Sequence, residues 1–262
     1  MGKVISIANQ KGGVGKTTTA INLCAGLAEH GWNVLLIDAD PQGNSTSGMG
    51  IDRKEIRVGL YESLVENFPL TDIVLETGYD HFSIIPSTRD LVGVDAELFG
   101  LEGREQRMKS SLTLLREEYD FIFIDCPPSL TLVTVNALTA ADSVLVPIQT
   151  EFYALEGLGQ LLAAIDLIRL GLNSDLSVEG ILLTMCDKRT KLSLQVVDEV
   201  KKFFTGREYV FSTIIPRNVR LSEAPSYGKP ALYYDPSSTG AQAYRQLARE
   251  FLHKHSELLV LN

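Results

Sequence analysis

The run Gln10-Lys11-Gly12-Gly13-Val14-Gly15-Lys16-Thr17-Thr18 constrains this chain most. It follows a short apolar stretch (Val4, Ile5, Ile7, Ala8) and opens a helical pattern (Ala20, Leu23, Leu27). A strand, a glycine-rich turn, Lys-Thr and a helix, in that order, make a β-loop-α unit built around an anion. Glycines let successive backbone N–H groups turn inward, and the helix N-terminus adds partial positive charge. Lys16 supplies a point charge for β- and γ-phosphates, and the Thr17 hydroxyl can ligate Mg²⁺. The loop from Lys11 through Gly12, Gly13, Val14, Gly15, Lys16, Thr17 and Thr18 is therefore the expected phosphate cradle.

The rest of the chain repeats the alternation. Strands are expected near 3–8, 33–38, 82–86, 121–125, 143–147, 178–184 and 210–214. Helices are expected near 17–30, 105–118, 153–171, 193–205 and 237–254. Runs such as Val34-Leu35-Leu36-Ile37 and Phe121-Ile122-Phe123-Ile124 are apolar on both faces, as strands of a buried parallel sheet are. The expected fold is α/β: a doubly wound, mostly parallel sheet with helices on both faces, in one domain over residues 1–262. Ligands of such sheets sit at the carboxyl ends of the strands. Lys16, Asp38, Asp40 and Asp125 all fall there. Asp125 ends an apolar run before Cys126-Pro127-Pro128, as a Walker B aspartate does, and would hold Mg²⁺ through water opposite Thr17. Residues 48–105 carry no pattern that assigns a role.

The phosphate loop departs from the common G-x-x-x-x-G-K-[ST] pattern in two places. Gln10 stands at the usual first glycine, and Lys11 is an extra lysine. The resulting K-G-G-x-G-K-T resembles the deviant Walker A loop of the ParA/MinD group of P-loop ATPases. That resemblance implies ATP and Mg²⁺ as cofactors, and a nucleotide-sandwich homodimer in which Lys11 reaches the partner's phosphates. It also makes Leu36-Ile37-Asp38-Ala39-Asp40-Pro41-Gln42-Gly43-Asn44 a switch I motif. Asp40 would then position the attacking water, and Asp38 would support the metal's water shell. Lys11, Lys16 and Asp40 are thus the implied catalytic residues. Hydrolysis is expected to be slow in an isolated subunit, because the site is complete only in the dimer.

Residues 215–230, Ile-Pro-Arg-Asn-Val-Arg-Leu-Ser-Glu-Ala-Pro-Ser-Tyr-Gly-Lys-Pro, resemble the chromosomal ParA, or Soj, branch. The resemblance implies that Pro216 and Asn218 border the adenine. It also implies non-specific duplex-DNA contacts from two basic segments, with most weight on Arg189 and Arg217 and less on Lys188, Lys191 and Arg220. The partner it implies is a ParB-like (Spo0J-like) protein that stimulates hydrolysis; in some relatives the replication initiator is a further target. The protein would lie in the cytoplasm on the nucleoid.

Charge is compatible with this. The net charge is −9, but residues 1–184 hold 12 Lys+Arg against 25 Asp+Glu, whereas residues 185–254 hold 12 against 7. An acidic body with a basic last third can present a local phosphate-binding face. Cys24, Cys126 and Cys186 form no C-x-x-C pair, so a reducing compartment is expected, with Cys126 as a packing residue. The four histidines, His30, His81, His253 and His255, make no ligand-like arrangement. Eight residues precede Asn9, too few for a helix-turn-helix, so sequence-specific operator binding is not expected.

Two other readings compete. A membrane-surface ATPase resembling MinD would use a basic amphipathic C-terminal helix. Residues Tyr244–Leu252 are amphipathic, and Leu258-Leu259-Val260-Leu261 add apolar surface. The helix lacks a dense lysine face, so it is expected to dock on the sheet, and no membrane partner is expected. A metabolic P-loop enzyme is the third reading, either an iron–sulfur reductase or a dethiobiotin synthetase-like ligase. The reductases need paired cysteines that this chain does not offer.

Overall fold

A computed structural model describes residues 1–151 and 154–255. Seven strands form one sheet: β1 (Lys3–Ile7), β2 (Val34–Asp38), β3 (Leu75–Tyr79), β4 (Phe82–Ile85), β5 (Phe121–Asp125), β6 (Ser143–Gln149) and β7 (Ser177–Thr184). Their order is β3-β4-β2-β5-β1-β6-β7. Every pairing is parallel except β3 with β4. The longer helices are α1 (Lys16–Ala28), α2 (Leu132–Ala140), α3 (Ala154–Gly171), α4 (Lys191–Phe204) and α5 (Thr239–Lys254).

Apolar residues on both faces of the central strands demand cover on both sides. Alternate residues of each strand separate into two cores. Val4, Leu35, Ile37, Ile122 and Ile124 pack with α2, α3 and α4 on one face. Ile5, Ile7, Leu36, Phe121 and Phe123 pack with α1 and α5 on the other. The apolar stripe of α5 (Tyr244, Leu247, Ala248, Phe251, Leu252) is buried in this second core, as its amphipathic pattern led one to expect. Among the described residues no helix is long and apolar enough to cross a membrane. Leu258–Leu261, and Tyr153 at the expected start of α3, lie outside the described residues.

Two expected elements differ. Residues 105–118 are not one helix but two short turns, Arg107–Ser111 and Leu115–Glu118. At the end of the first, Ser110 and Ser111 hydroxyls bond the carbonyls of Gln106 and Arg107, and between the two the Thr113 hydroxyl bonds that of Ser110, competing with the helical ladder. Residues 210–214 run beside β7 but pair with it only at an isolated bridge, Ile181 with Val210; a second bridge, Cys186 with Pro216, lies just beyond both segments. The Glu250 carboxylate on α5 takes the Thr213 N–H that would have continued the pairing begun by Phe211 N–H, together with the Ser212 N–H.

Candidate functional site

The first loop follows β1 and ends where α1 begins at Lys16. Gly13 and Gly15 stand at φ 75° and 88°, the left-handed region that glycine enters without strain. A Cβ built on Gly12 or Gly13 would meet nothing within 4 Å, so this part of the loop faces open space. The loop is anchored at both ends. Lys11 N–H donates to Asn9 Oδ1 at 2.9 Å, and Asn9 Nδ2 to the Pro147 carbonyl at 2.8 Å. Thr184 Oγ1 holds the Val14 carbonyl at 2.8 Å. The Lys16 side chain is buried, and its Nζ donates to the Lys11 carbonyl at 3.2 Å. Burial pushes its pKa down, while Asp125 pulls it up. Lys11 Nζ lies 3.7 Å from Glu151 Oε2 of the same chain.

Asp38 and Asp125 close neighbouring strands in register, fully buried side by side. Burial raises the Asp125 carboxyl to about 7, and Asp38 adds to the rise against the Ser45 hydrogen bond and the nearby Thr17 hydroxyl. Burial likewise raises Asp38 to about 6, opposed by Thr46. Their surroundings differ in one respect. Asp38 Oδ2 accepts from Thr46 N–H and Oγ–H at 2.7 and 2.6 Å, and Oδ1 from Asp40 N–H at 3.3 Å. Asp125 Oδ2 accepts from Ser45 at 2.8 Å, but its Oδ1 is buried with no partner among the described residues. A buried carboxylate with a raised pKa and an orphaned oxygen, facing Thr17 and Lys16, has the donor set of a Mg²⁺ site that is completed by water. Through Thr46, Asp38 also pins the short helix Asn44–Gly48. Asp40 is nearly buried, with its Oδ1 accepting from Gln42 N–H at 2.9 Å. Cys126 is buried, and burial pushes its thiol up, which suits packing rather than reactivity.

A cavity of about 150 Å³ opens beside α1. Pro216 and Asn218 line it with Met185, Thr184 and Tyr244. Both polar atoms of the Asn218 side chain are hydrogen-bonded within the chain: Oδ1 accepts from Arg220 N–H and Nδ2 donates to Thr239, each at 2.8 Å. Met185, at φ 52°, is strained for a non-glycine residue. Sequence reading missed Ser45, Thr46, Met185 and Tyr244. Ser45 and Thr46 were one step from legible, since they directly follow the second aspartate motif.

The basic candidates meet at the carboxyl end of β7. Cys186 N–H donates to the Ile215 carbonyl, and Arg217 N–H to the Cys186 carbonyl, both at 3.0 Å. The segments 187–191 and 217–220 are therefore neighbours. Lys188, Arg189, Lys191, Arg217 and Arg220 are all exposed. Arg189 forms a two-pronged pair with Asp187 at 2.9 and 2.8 Å, and Arg220 pairs with Glu223 at 2.7 Å and Asp235 at 3.2 Å. Lys188, Lys191 and Arg217 make no ion pair among the described residues.

An AAA-domain family model matches residues 2–178. The chain is 54% identical to the sporulation initiation inhibitor protein Soj of Bacillus subtilis, over 95% of this chain and 98% of that one. It is 49% identical to the chromosome partitioning protein ParA of Caulobacter vibrioides, over 97% and 96%. A structure of a cobyrinic acid a,c-diamide synthase from Mycobacterium smegmatis, with bound ADP and magnesium, is similar at TM-score 0.85 and 36% identity. It covers 98% of this chain and 97% of that one.

Proposed function

The chain belongs to the ParA/Soj family of chromosome-partitioning P-loop ATPases, and from that premise we propose that it is a nucleotide-switched DNA-partitioning protein acting as one domain. ATP is its nucleotide and Mg²⁺ its metal, held by Thr17 and, through water, by Asp125. Held there, the ion would supply charge neutralisation for the transferring phosphate. The inward N–H groups of Gly12 to Thr17 and the Lys16 ammonium bind and orient the phosphates. Burial of Lys16 removes water that would otherwise screen its charge. Asp40, fixed through Gln42, orients the attacking water. Lys11 leaves Glu151 and reaches the phosphates of a second copy, so ATP joins two subunits and hydrolysis separates them.

The paired subunits present two sets of Lys188, Arg189, Lys191, Arg217 and Arg220 to duplex phosphates, without reading bases. Doubling a weak site in this way makes DNA binding a readout of dimerisation. A ParB-like partner then stimulates hydrolysis and releases the protein from the nucleoid. One observation carries this reading: Pro216 lines the cavity beside α1, and the next residue, Arg217, is bonded to Cys186 at the root of the basic loop.

The test is binding to a non-specific duplex with ATP, ADP or no nucleotide, at two salt concentrations. Wild type, Arg189→Ala and Asp40→Ala are compared. Salt-sensitive binding that needs ATP, persists in Asp40→Ala and falls in Arg189→Ala is the expected result. ATP-dependent dimerisation without DNA binding would remove the DNA assignment.

A further inference from the structure

The turn that follows Asp40 is held from outside by a residue far from any motif. Arg53 Nη2 donates to the Pro41 carbonyl at 2.8 Å, and Nη1 donates to the Gln42 carbonyl. Its stem and Nε lie directly over Gly43, where a Cβ would fall 2.3 Å from Nε. Nε itself is buried with no partner among the described residues. Arg53 makes no ion pair among them either, so its fork serves two successive main-chain carbonyls of one turn. Ser87 Oγ completes the hold on the Asp40 carbonyl at 2.7 Å. On the inner side, Gln42 N–H holds Asp40 Oδ1, and Gly43 N–H holds the Asp40 carbonyl at 2.8 Å.

We propose that Arg53 is a positioning residue for hydrolysis: it latches the Asp40–Gly43 turn and so fixes the direction in which the Asp40 carboxylate faces. This rests on the reading of Asp40 as the water-orienting group. The path is short and physical. Arg53 fixes the Pro41 carbonyl, the Pro41–Gln42 peptide plane carries that constraint to the Gln42 N–H, and the N–H fixes Asp40 Oδ1. A guanidinium suits the task, because its donors stand in a rigid planar fork that addresses two acceptors in one fixed geometry, whereas lysine's ammonium is a rotatable point charge. Gly43 is the other half of the latch, having no side chain to displace the arginine stem and standing at φ 63°. Nothing in the latch touches the phosphate loop, so ATP binding is expected to survive its loss.

Single-turnover ATP hydrolysis and equilibrium ATP affinity are measured for wild type, Arg53→Ala, Arg53→Lys, Gly43→Ala and Asp40→Ala, with thermal melts of each. Arg53→Ala is expected to slow hydrolysis about tenfold or more, as small misplacements of a catalytic group do, with ATP affinity within about twofold of wild type. Arg53→Lys should fall between, and Gly43→Ala should add little to Arg53→Ala in the double variant. If Arg53→Ala melts early, the lysine variant carries the test, since it keeps the stem and the charge. Normal hydrolysis in Arg53→Ala with slow hydrolysis in Asp40→Ala overturns the latch alone. Loss of ATP affinity in step with rate makes Arg53 merely structural and overturns it too. Wild-type hydrolysis in Asp40→Ala removes the reading of Asp40, and the latch with it.

Discussion

Asp125 and Asp38 stand in register at the ends of adjacent strands, and neither can be ionised without cost in the nucleotide-free protein. Their folded pKa values, about 7 and about 6, exceed the ordinary carboxylate value near 4. The folded protein therefore binds more protons than the unfolded chain between about pH 4 and pH 7, and stability falls as pH rises through that window. Asp125→Asn removes the larger share of this penalty. The variant is expected to be more stable than wild type at pH 8 without nucleotide, by on the order of 2 kcal/mol, and its advantage should shrink toward pH 5. It should also lose the added stabilisation that Mg²⁺ gives together with ATP. Denaturation midpoints at the two pH values check this; a variant that gains nothing at pH 8 would mean that the pair is relieved by water. Lys16 and Asp125 were legible because each lies in a contiguous motif with a strand before it. Ser45 was not, because its role arises only when the helix Asn44–Gly48 folds back to bring its hydroxyl to Asp125.

Elements were legible where both faces of a strand are buried. The central strands β1, β2, β5 and β6 are nearly continuous apolar runs. β3, Leu75-Glu76-Thr77-Gly78-Tyr79, was missed because it is a largely exposed edge strand with no apolar period to read. The segment 210–214 misled for the opposite reason. Its apolar residues pack in the cores, yet Glu250 claims the Thr213 amide that a ladder needs. The loop between β7 and α4 joins the basic segments, and its electrostatics are specific. Asp187 holds Arg189 so firmly that its own carboxyl is drawn down to about 2, mainly through the hydrogen bonds from Arg189. Duplex phosphates must compete with Asp187 for that fork. Asp187→Asn is therefore expected to tighten ATP-dependent DNA binding several-fold, whereas Lys188→Ala or Lys191→Ala should weaken it. Each lysine change should reduce the salt slope by about one unit if that lysine meets a phosphate. Salt titrations of duplex affinity read both effects, and an unchanged slope would take that lysine off the interface.

At the scale of the whole molecule, nucleotide loops crowd one end of the sheet and a single buried carboxylate gathers the other. Glu179 on β7 has no exposed side-chain surface. It accepts from Lys3 at 2.8 Å, Ser143 at 2.7 Å and His255 at 2.9 Å, and it pairs with Lys254, whose ammonium also holds the Glu179 carbonyl. Four donors thus tie the starts of β1 and β6 and the end of α5 to one side chain. Burial pushes the Glu179 carboxyl up, but His255, Lys3 and Lys254 outweigh it and hold the group well below the usual range. A depressed carboxylate contributes stability above its unfolded pKa, near 4.3, and loses it as pH falls below that value. Glu179→Gln keeps the size but not the charge. It is expected to cost about 2–4 kcal/mol at pH 7, less than a fully buried pair because Lys3 and Lys254 can turn to water. ATP affinity should be unchanged, since the cluster lies at the far end of every strand from the phosphate loop. Denaturant titrations at pH 7 and pH 3.5 separate charge from shape, because other carboxylates titrate alike in both proteins. A gap between wild type and variant that narrows at the lower pH shows an ionic tie across the base of the sheet. A gap that stays constant shows that packing around Glu179, and not its charge, holds α5 to the strands.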